Sequence, residues 1–230
     1  MVKNSVKSKT DKQQRILCFG DSLTWGFAPV TQTRYTYQER WVGVLDSLLR
    51  SDGYEDIEII EDGLNDRTIA RDDPGLPGKN GLEALCVRLE NDEPYDVIIV
   101  FLGANNMKKY FSLTCGDIAR EMTQMLNVLS RYRDKYANNV DIIVISPPLL
   151  GEHQVSSYMD EWFDFSELSL LAREVIEEFG NCVSSYGCSF VDVSCVASVS
   201  KADNIHFDVE GHKALGNAVY KKLIERMRFH

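Results

Sequence analysis

Tyr95-Asp96-Val97-Ile98-Ile99-Val100-Phe101-Leu102 runs without a break into Gly103-Ala104-Asn105-Asn106. Six consecutive apolar side chains from Val97 to Leu102 cannot alternate between core and water. A strand of this kind is covered on both faces, which predicts the middle of a parallel sheet with helices above and below. The glycine and amides that follow mark the carboxyl end of that strand, the side on which open α/β sheets bind ligands.

Working outward, shorter apolar runs at Arg15 to Phe19, Asp56 to Ile60, Val140 to Ile145 and Ser189 to Val193 read as four further strands. Between them apolar residues recur at helical spacing, as in Trp41, Leu45 and Leu48, or Ile118, Met122, Met125 and Leu129. Alternation of strand and helix predicts repeated βα units. The expected fold is α/β, a three-layer sandwich around a five-stranded parallel sheet in the flavodoxin-like order 2-1-3-4-5. Irregular stretches at Gly26 to Glu39, Asp62 to Asn80 and Pro147 to Phe165 each follow a strand on one side of the sheet.

The chain has 230 residues, enough for a full core, with 44% hydrophobic and 26% charged residues. Residues 14–230 are expected to form one domain. Residues 1–13, with Lys3, Lys7, Lys9 and Lys12 and little apolar content, are expected to be a mobile tail. Ile16 to Phe19 is too short to be the apolar stretch of a signal peptide. A formal net charge of -10 disfavours nucleic acid and anionic membrane surfaces as partners. The cysteines Cys18, Cys86, Cys115, Cys182, Cys188 and Cys195 show no metal-ligand spacing, so free thiols and a cytoplasmic location are expected.

Phe19-Gly20-Asp21-Ser22-Leu23-Thr24 closes the first strand and opens a helix. Ser22 there reads equally as a helix N-cap and as a nucleophile. A nucleophilic serine needs an oriented base, and the histidines are His153, His206, His212 and His230. His206 follows Asp203 by three residues, which gives it a carboxylate to fix its tautomer; in isolation the pair also fits an ordinary surface loop. Asn105 offers a side-chain amide after the central strand, and Gly63 an unshielded N–H after the second.

Taken together, Gly20-Asp21-Ser22-Leu23, Gly63, Gly103-Ala104-Asn105 and Asp203-x-x-His206 resemble the four ordered blocks of the GDSL/SGNH hydrolases. The resemblance covers about Arg15 to Met227. It is closer to the arylesterase and acyltransferase branch through Trp25-Gly26, Arg40-Trp41-Val42-Gly43-Val44-Leu45, Gly63-Leu64-Asn65-x-Arg67-Thr68 and Pro147-Pro148-Leu149-Leu150-Gly151. It implies Ser22 as nucleophile, His206 as base and then acid, and Asp203 as orienting carboxylate. Ser22, Gly63 and Asn105 would form the oxyanion hole. Asp21, Trp25, Phe27, Asn65, Trp162 and Phe165 are the expected pocket residues.

The implied activity is cleavage or transfer of short acyl groups from small aryl or alkyl esters through an acyl-serine. It requires neither metal nor organic cofactor, and similar arylesterases are often homo-oligomers. A carbohydrate O-acetyl esterase, or a thioesterase or lysophospholipase, is the alternative within enzymes. A non-catalytic flavodoxin-like anion-binding module is the alternative outside them. One departure stands out: the family usually reads Gly-x-Asn-Asp at the third block, and this chain has Asn106 in the last place. Restoring the carboxylate is expected to keep activity and to reveal whether its charge shifts the pH profile.

Overall fold

The computed structural model describes residues 13–137, 139–151 and 158–227. The tail at 1–12, the histidines His153 and His230, and part of the loop before Phe165 lie outside the described residues. In chain order the elements are β1 (Gln14–Gly20), α1 (Ser22–Trp25), β2 (Phe27–Ala28), β3 (Thr33–Arg34), α2 (Trp41–Ser51), β4 (Ile57–Gly63) and α3 (Gly81–Asn91). Then come β5 (Val97–Phe101), α4 (Cys115–Lys135), β6 (Asp141–Ile145), α5 (Leu168–Ser185), β7 (Ser189–Val191) and α6 (Val209–Met227).

The main sheet is ordered β4-β1-β5-β6-β7, and every pairing in it is parallel. That is the order 2-1-3-4-5 expected from the sequence. Every residue of β5 is buried, as its unbroken apolarity requires. On one face α2 packs on α6; on the other α4 packs on α5 and α3. Trp41, Phe19, Phe101, Phe179 and Phe207 are the large rings of the resulting core. No described helix is long and apolar enough to cross a membrane.

Two local features depart from the pattern reading. The stretch after α1, expected to be irregular, contains the short antiparallel hairpin of β2 and β3, with Phe27 opposite Arg34. In addition, β4 continues three residues past Ile60, so that Gly63 is its last member and pairs with Gly20. A Cβ at Gly63 would stand 2.2 Å from the Trp25 nitrogen, and one at Gly20 would stand 2.1 Å from Thr24 Oγ1. Both glycines therefore let the short helix α1 settle onto the sheet edge, and a side chain at either would push Ser22 out of place.

Candidate active site

Ser22, Asp66, Asn105 and His206 all leave the carboxyl edge of the sheet, in the segments after β1, β4, β5 and β7. Ser22 opens α1, where Asp21 caps the helix by accepting the Leu23 N–H at 2.9 Å. The N-cap role therefore belongs to Asp21, which leaves the Ser22 hydroxyl free for other work. Its Oγ lies 2.8 Å from His206 Nε2, across 184 residues of sequence.

His206 Nδ1 lies 2.6 Å from Asp203 Oδ2. The other oxygen of that carboxylate accepts the N–H groups of Ile205 at 3.0 Å and His206 at 2.9 Å, so the loop closes on its own aspartate. Tyr158 donates its hydroxyl to Asp203 Oδ2 at 3.1 Å. Burial pushes the Asp203 carboxyl up, but hydrogen bonds from the His206 ring and the two backbone N–H groups outweigh it and hold the group below the ordinary aspartate value. Asp203 thus stays ionised at neutral pH, as an acceptor for the Nδ1 side of the ring that faces Ser22.

His212 is excluded as a competing base by its surroundings. It is fully buried in α6, with the Tyr35 and Phe207 rings edge-on at 5.5 and 5.8 Å. Burial, then the electrostatic effect of His206 and Arg40, depress it to about 3, so it is a neutral core ring.

Asn105 Nδ2 contacts the Arg67 carbonyl at 3.2 Å and Asp21 Oδ2 at 3.4 Å. Arg67 is itself buried over the Phe19 ring and donates to the carbonyls of Gly20 and Asp62. The first three blocks are therefore tied together beneath the site. Burial raises the carboxyl of Asp21 to about 6, against the pull of the Leu23 N–H and of His206 and Arg67.

Above this layer lies a pocket of about 250 Å³ lined by Ser22, Phe27, Asn65, Asp66, Leu76, Ala104, Asn105, Lys108, Met159, Trp162, Ile205 and His206. Phe27 tilts against the His206 ring at 4.5 Å between centroids. Among the residues expected to line the site, Phe27, Asn65 and Trp162 do so. Asp21 instead lies fully buried below the pocket. Trp25 turns outward, stacked under the Arg34 guanidinium, and Phe165 packs on Phe163 and Gly151.

Gly63 is not on the pocket wall either, because the strand that holds it runs on past the expected turn. Asp66 stands there in its stead, with φ +66 and no acceptor for its N–H among the described residues. Asp66, Leu76, Lys108, Met159 and Ile205 are pocket residues that the sequence pattern did not expose. Only the position of Ile205 beside His206 carried a usable signal.

The geometry is matched by similarity to known proteins. The family model of the GDSL-like lipase/acylhydrolase family matches residues 18–214. This chain belongs to that family. Membership makes this GDSL hydrolase a serine ester hydrolase. Among solved structures, the aryl esterase of M. smegmatis is 32% identical with a TM-score of 0.81, covering 92% of this chain and 99% of its own. Est24, a carbohydrate acetylesterase from Sinorhizobium meliloti, is 28% identical with a TM-score of 0.82, covering 93% and 99%. A protein from Agrobacterium tumefaciens described as a putative arylesterase is 25% identical, with a TM-score of 0.79. A search of curated proteins gives no match.

The departure of this GDSL hydrolase at Asn106 now has a physical account. Asn106 Oδ1 accepts the Ile69 N–H at 3.0 Å, and its Nδ2 donates to Glu121 Oε2 at 2.7 Å. Glu121 is a buried carboxylate on α4 that also accepts from the Ala70 N–H and from Arg71. An aspartate at 106 would set two carboxylates at hydrogen-bond distance, and one would have to hold a proton. The structure adds a stability cost to that substitution: Asn106→Asp should lower Tm, by roughly 2–4 °C for each kcal/mol lost. The deficit should widen from pH 5 to pH 8, since the shared proton is bound in the fold and not in the unfolded chain. Adding Glu121→Gln should recover much of the loss in a thermal melt, and an Asn106→Asp melt that matches wild type at pH 8 would refute this account.

Proposed function

We propose that the chain is an esterase and acyltransferase for short acyl groups in which Ser22 attacks the ester carbonyl, His206 takes its proton, and Asp203 holds the imidazole. The observation that carries this reading is the Oγ to Nε2 to Nδ1 to carboxylate relay at 2.8 and 2.6 Å. The tetrahedral intermediate would place its oxyanion among the Asn105 amide and the backbone N–H groups of Ser22 and Asp66. His206 then returns the proton to the leaving alcohol, and water or another alcohol releases the acyl group from Ser22.

The small volume favours short acyl chains. Phe27, Leu76, Met159 and Trp162 wall the pocket, and 250 Å³ lies below the usual range of ligand sites, roughly 300–1,000 Å³. Each methylene that fits adds about 0.8 kcal/mol of favourable burial, so an open groove would make efficiency climb with chain length. A walled pocket reverses the trend. For p-nitrophenyl acetate, butyrate, octanoate and palmitate, kcat/KM is expected to peak at or before butyrate. A maximum at octanoate or beyond would refute the small pocket and leave the relay untouched.

The carbohydrate O-acetyl ester reading belongs with this one, since Est24 is as similar in fold as the aryl esterase. We also place the chain in the cytoplasm, because all six cysteines are unpaired thiols, as a reducing compartment maintains. A homo-oligomer is part of the same reading, and sedimentation of the purified chain tests it. Labelling by a fluorophosphonate probe, lost on Ser22→Ala, tests the nucleophile directly.

A further inference from the structure

The pocket lining also includes charged side chains, organised in a way the relay does not need. Lys108 Nζ donates to Asp66 Oδ1 at 2.8 Å and stands 3.5 Å from Asp73 Oδ2. The Lys108 side chain is 2% exposed and that of Asp73 1%, whereas that of Asp66 is 40% exposed. Asp73 is further fixed by the Tyr110 hydroxyl at 2.5 Å and the Gly75 N–H at 2.9 Å. The ammonium is therefore enclosed between two carboxylates, one rigid and buried, the other at the pocket surface.

Of the two carboxylates, Asp66 is the one that lines the cavity. Its backbone sits at φ +66, a region that an ordinary side chain enters only at a cost and that Asp and Asn tolerate best. One carboxylate oxygen is held by Lys108; the second, Oδ2, has no partner among the described residues. Beside it, Asn65 Oδ1 is a second acceptor with no partner among the described residues. A fixed acceptor next to Ser22, Asn105 and His206 on a pocket wall is suited to a hydrogen-bond donor carried by the substrate.

The charge arrangement decides what kind of donor. A cationic substrate would be drawn by the net charge of the trio but would have to seat its own charge beside the Lys108 ammonium, which already holds the same carboxylate at 2.8 Å. An anionic substrate would find Lys108 enclosed and the trio of Asp66, Asp73 and Lys108 carrying an excess negative charge. A neutral hydroxyl suffers neither penalty and gains a hydrogen bond to a charged acceptor. In the same cavity, Leu76, Met159 and Trp162 can cover a carbon skeleton, with the Trp162 ring 5.4 Å from Lys108 Nζ.

We propose that Asp66, locked by Lys108, reads a free hydroxyl on the alcohol portion of the substrate, so that the ester taken by this site is a short acyl ester of a polyol. The inference rests on the esterase reading given above. Simple aryl and alkyl esters lack the donor and are processed without this contact.

The test is a cycle between substrate and side chain on the full chain, followed by pH-stat. Glycerol 1-acetate is compared with the same acetate bearing methyl ethers on both hydroxyls, in wild type and in Asp66→Asn. Asparagine keeps the backbone N–H and the tolerance for positive φ. It turns its carbonyl to Lys108 and offers the cavity a donor in place of an acceptor. Wild type should favour the free-hydroxyl ester by about 10- to 100-fold in kcat/KM, the range for a hydrogen bond to a charged group. In the variant that preference should fall to within about threefold, a narrowing of at least half the wild-type preference on a logarithmic scale. Equal rates for the two esters in wild type, or a preference that survives the substitution, would overturn the proposal. So would an equal loss on both esters in the variant, which would make the side chain a support for the backbone only. The esterase reading fails separately, if wild type neither cleaves p-nitrophenyl acetate nor takes the fluorophosphonate at Ser22; that result would end both.

Discussion

Ser22→Ala should lower kcat by on the order of 10⁴–10⁶-fold, since relay members act as a unit and only binding and oxyanion contacts survive the deletion. The substitution removes one oxygen from a residue that is 8% exposed and caps nothing, because Asp21 serves the α1 N-terminus. Tm should accordingly stay within a few degrees of wild type. Activity within about tenfold of wild type would refute the nucleophile. His206→Ala should be nearly as damaging. His212→Ala offers the control, because its ring is a core element between Tyr35 and Phe207: it should show a lower Tm with kcat per folded molecule preserved.

Asp203→Asn is expected to cost about 10⁴-fold in kcat with the loop still folded. An asparagine Oδ1 can keep the N–H groups of Ile205 and His206, now held at 3.0 and 2.9 Å. Its Nδ2 then faces His206 Nδ1, which must accept where it formerly donated. The ring proton moves to Nε2 and points at Ser22, so the base presents a donor to the hydroxyl it should deprotonate. Tyr158 loses its anionic acceptor at the same time. A pre-steady-state burst with p-nitrophenyl acetate measures the acylation step directly. If acylation falls by less than about 30-fold while Tm drops sharply, Asp203 serves the loop and not the imidazole.

The elements legible in the sequence are those set by one-dimensional patterns. Runs such as Val97 to Leu102 and the helical stripes of α2 and α4 determine which faces are buried, and the parallel order follows from alternating strands and helices. Ser22, Asn105 and the Asp203 to His206 pair were legible because each sits where a strand or loop meets a helix. Gly63 lies off the pocket wall for a related reason. Apolar periodicity stops at Ile60, while the hydrogen-bond ladder with β1 carries on through Glu61, Asp62 and Gly63. The turn therefore falls at Asp66, a residue whose positive φ no glycine announces.

The polar wall was hidden because Lys108, Asp66 and Asp73 are brought together only by tertiary structure. Lys108 also looks like an ordinary surface lysine until its 2% exposure is known. Aromatic content was equally uninformative about direction. Trp25 and Phe27 are two residues apart, yet one is stacked outward under Arg34 and the other leans on His206.

The buried carboxyl of Asp21 couples the fold to protons in solution. With a value near 6 in the fold against 3.8 as the ordinary one, it binds a proton more tightly in the folded chain than in the unfolded chain. Its share of the folding free energy is therefore most favourable at low pH, shrinks as pH climbs between those two values, and levels off above them. Beneath Ser22, then, one buried carboxyl favours the folded chain most in acid, and above a value near 6 it is held charged against its own burial.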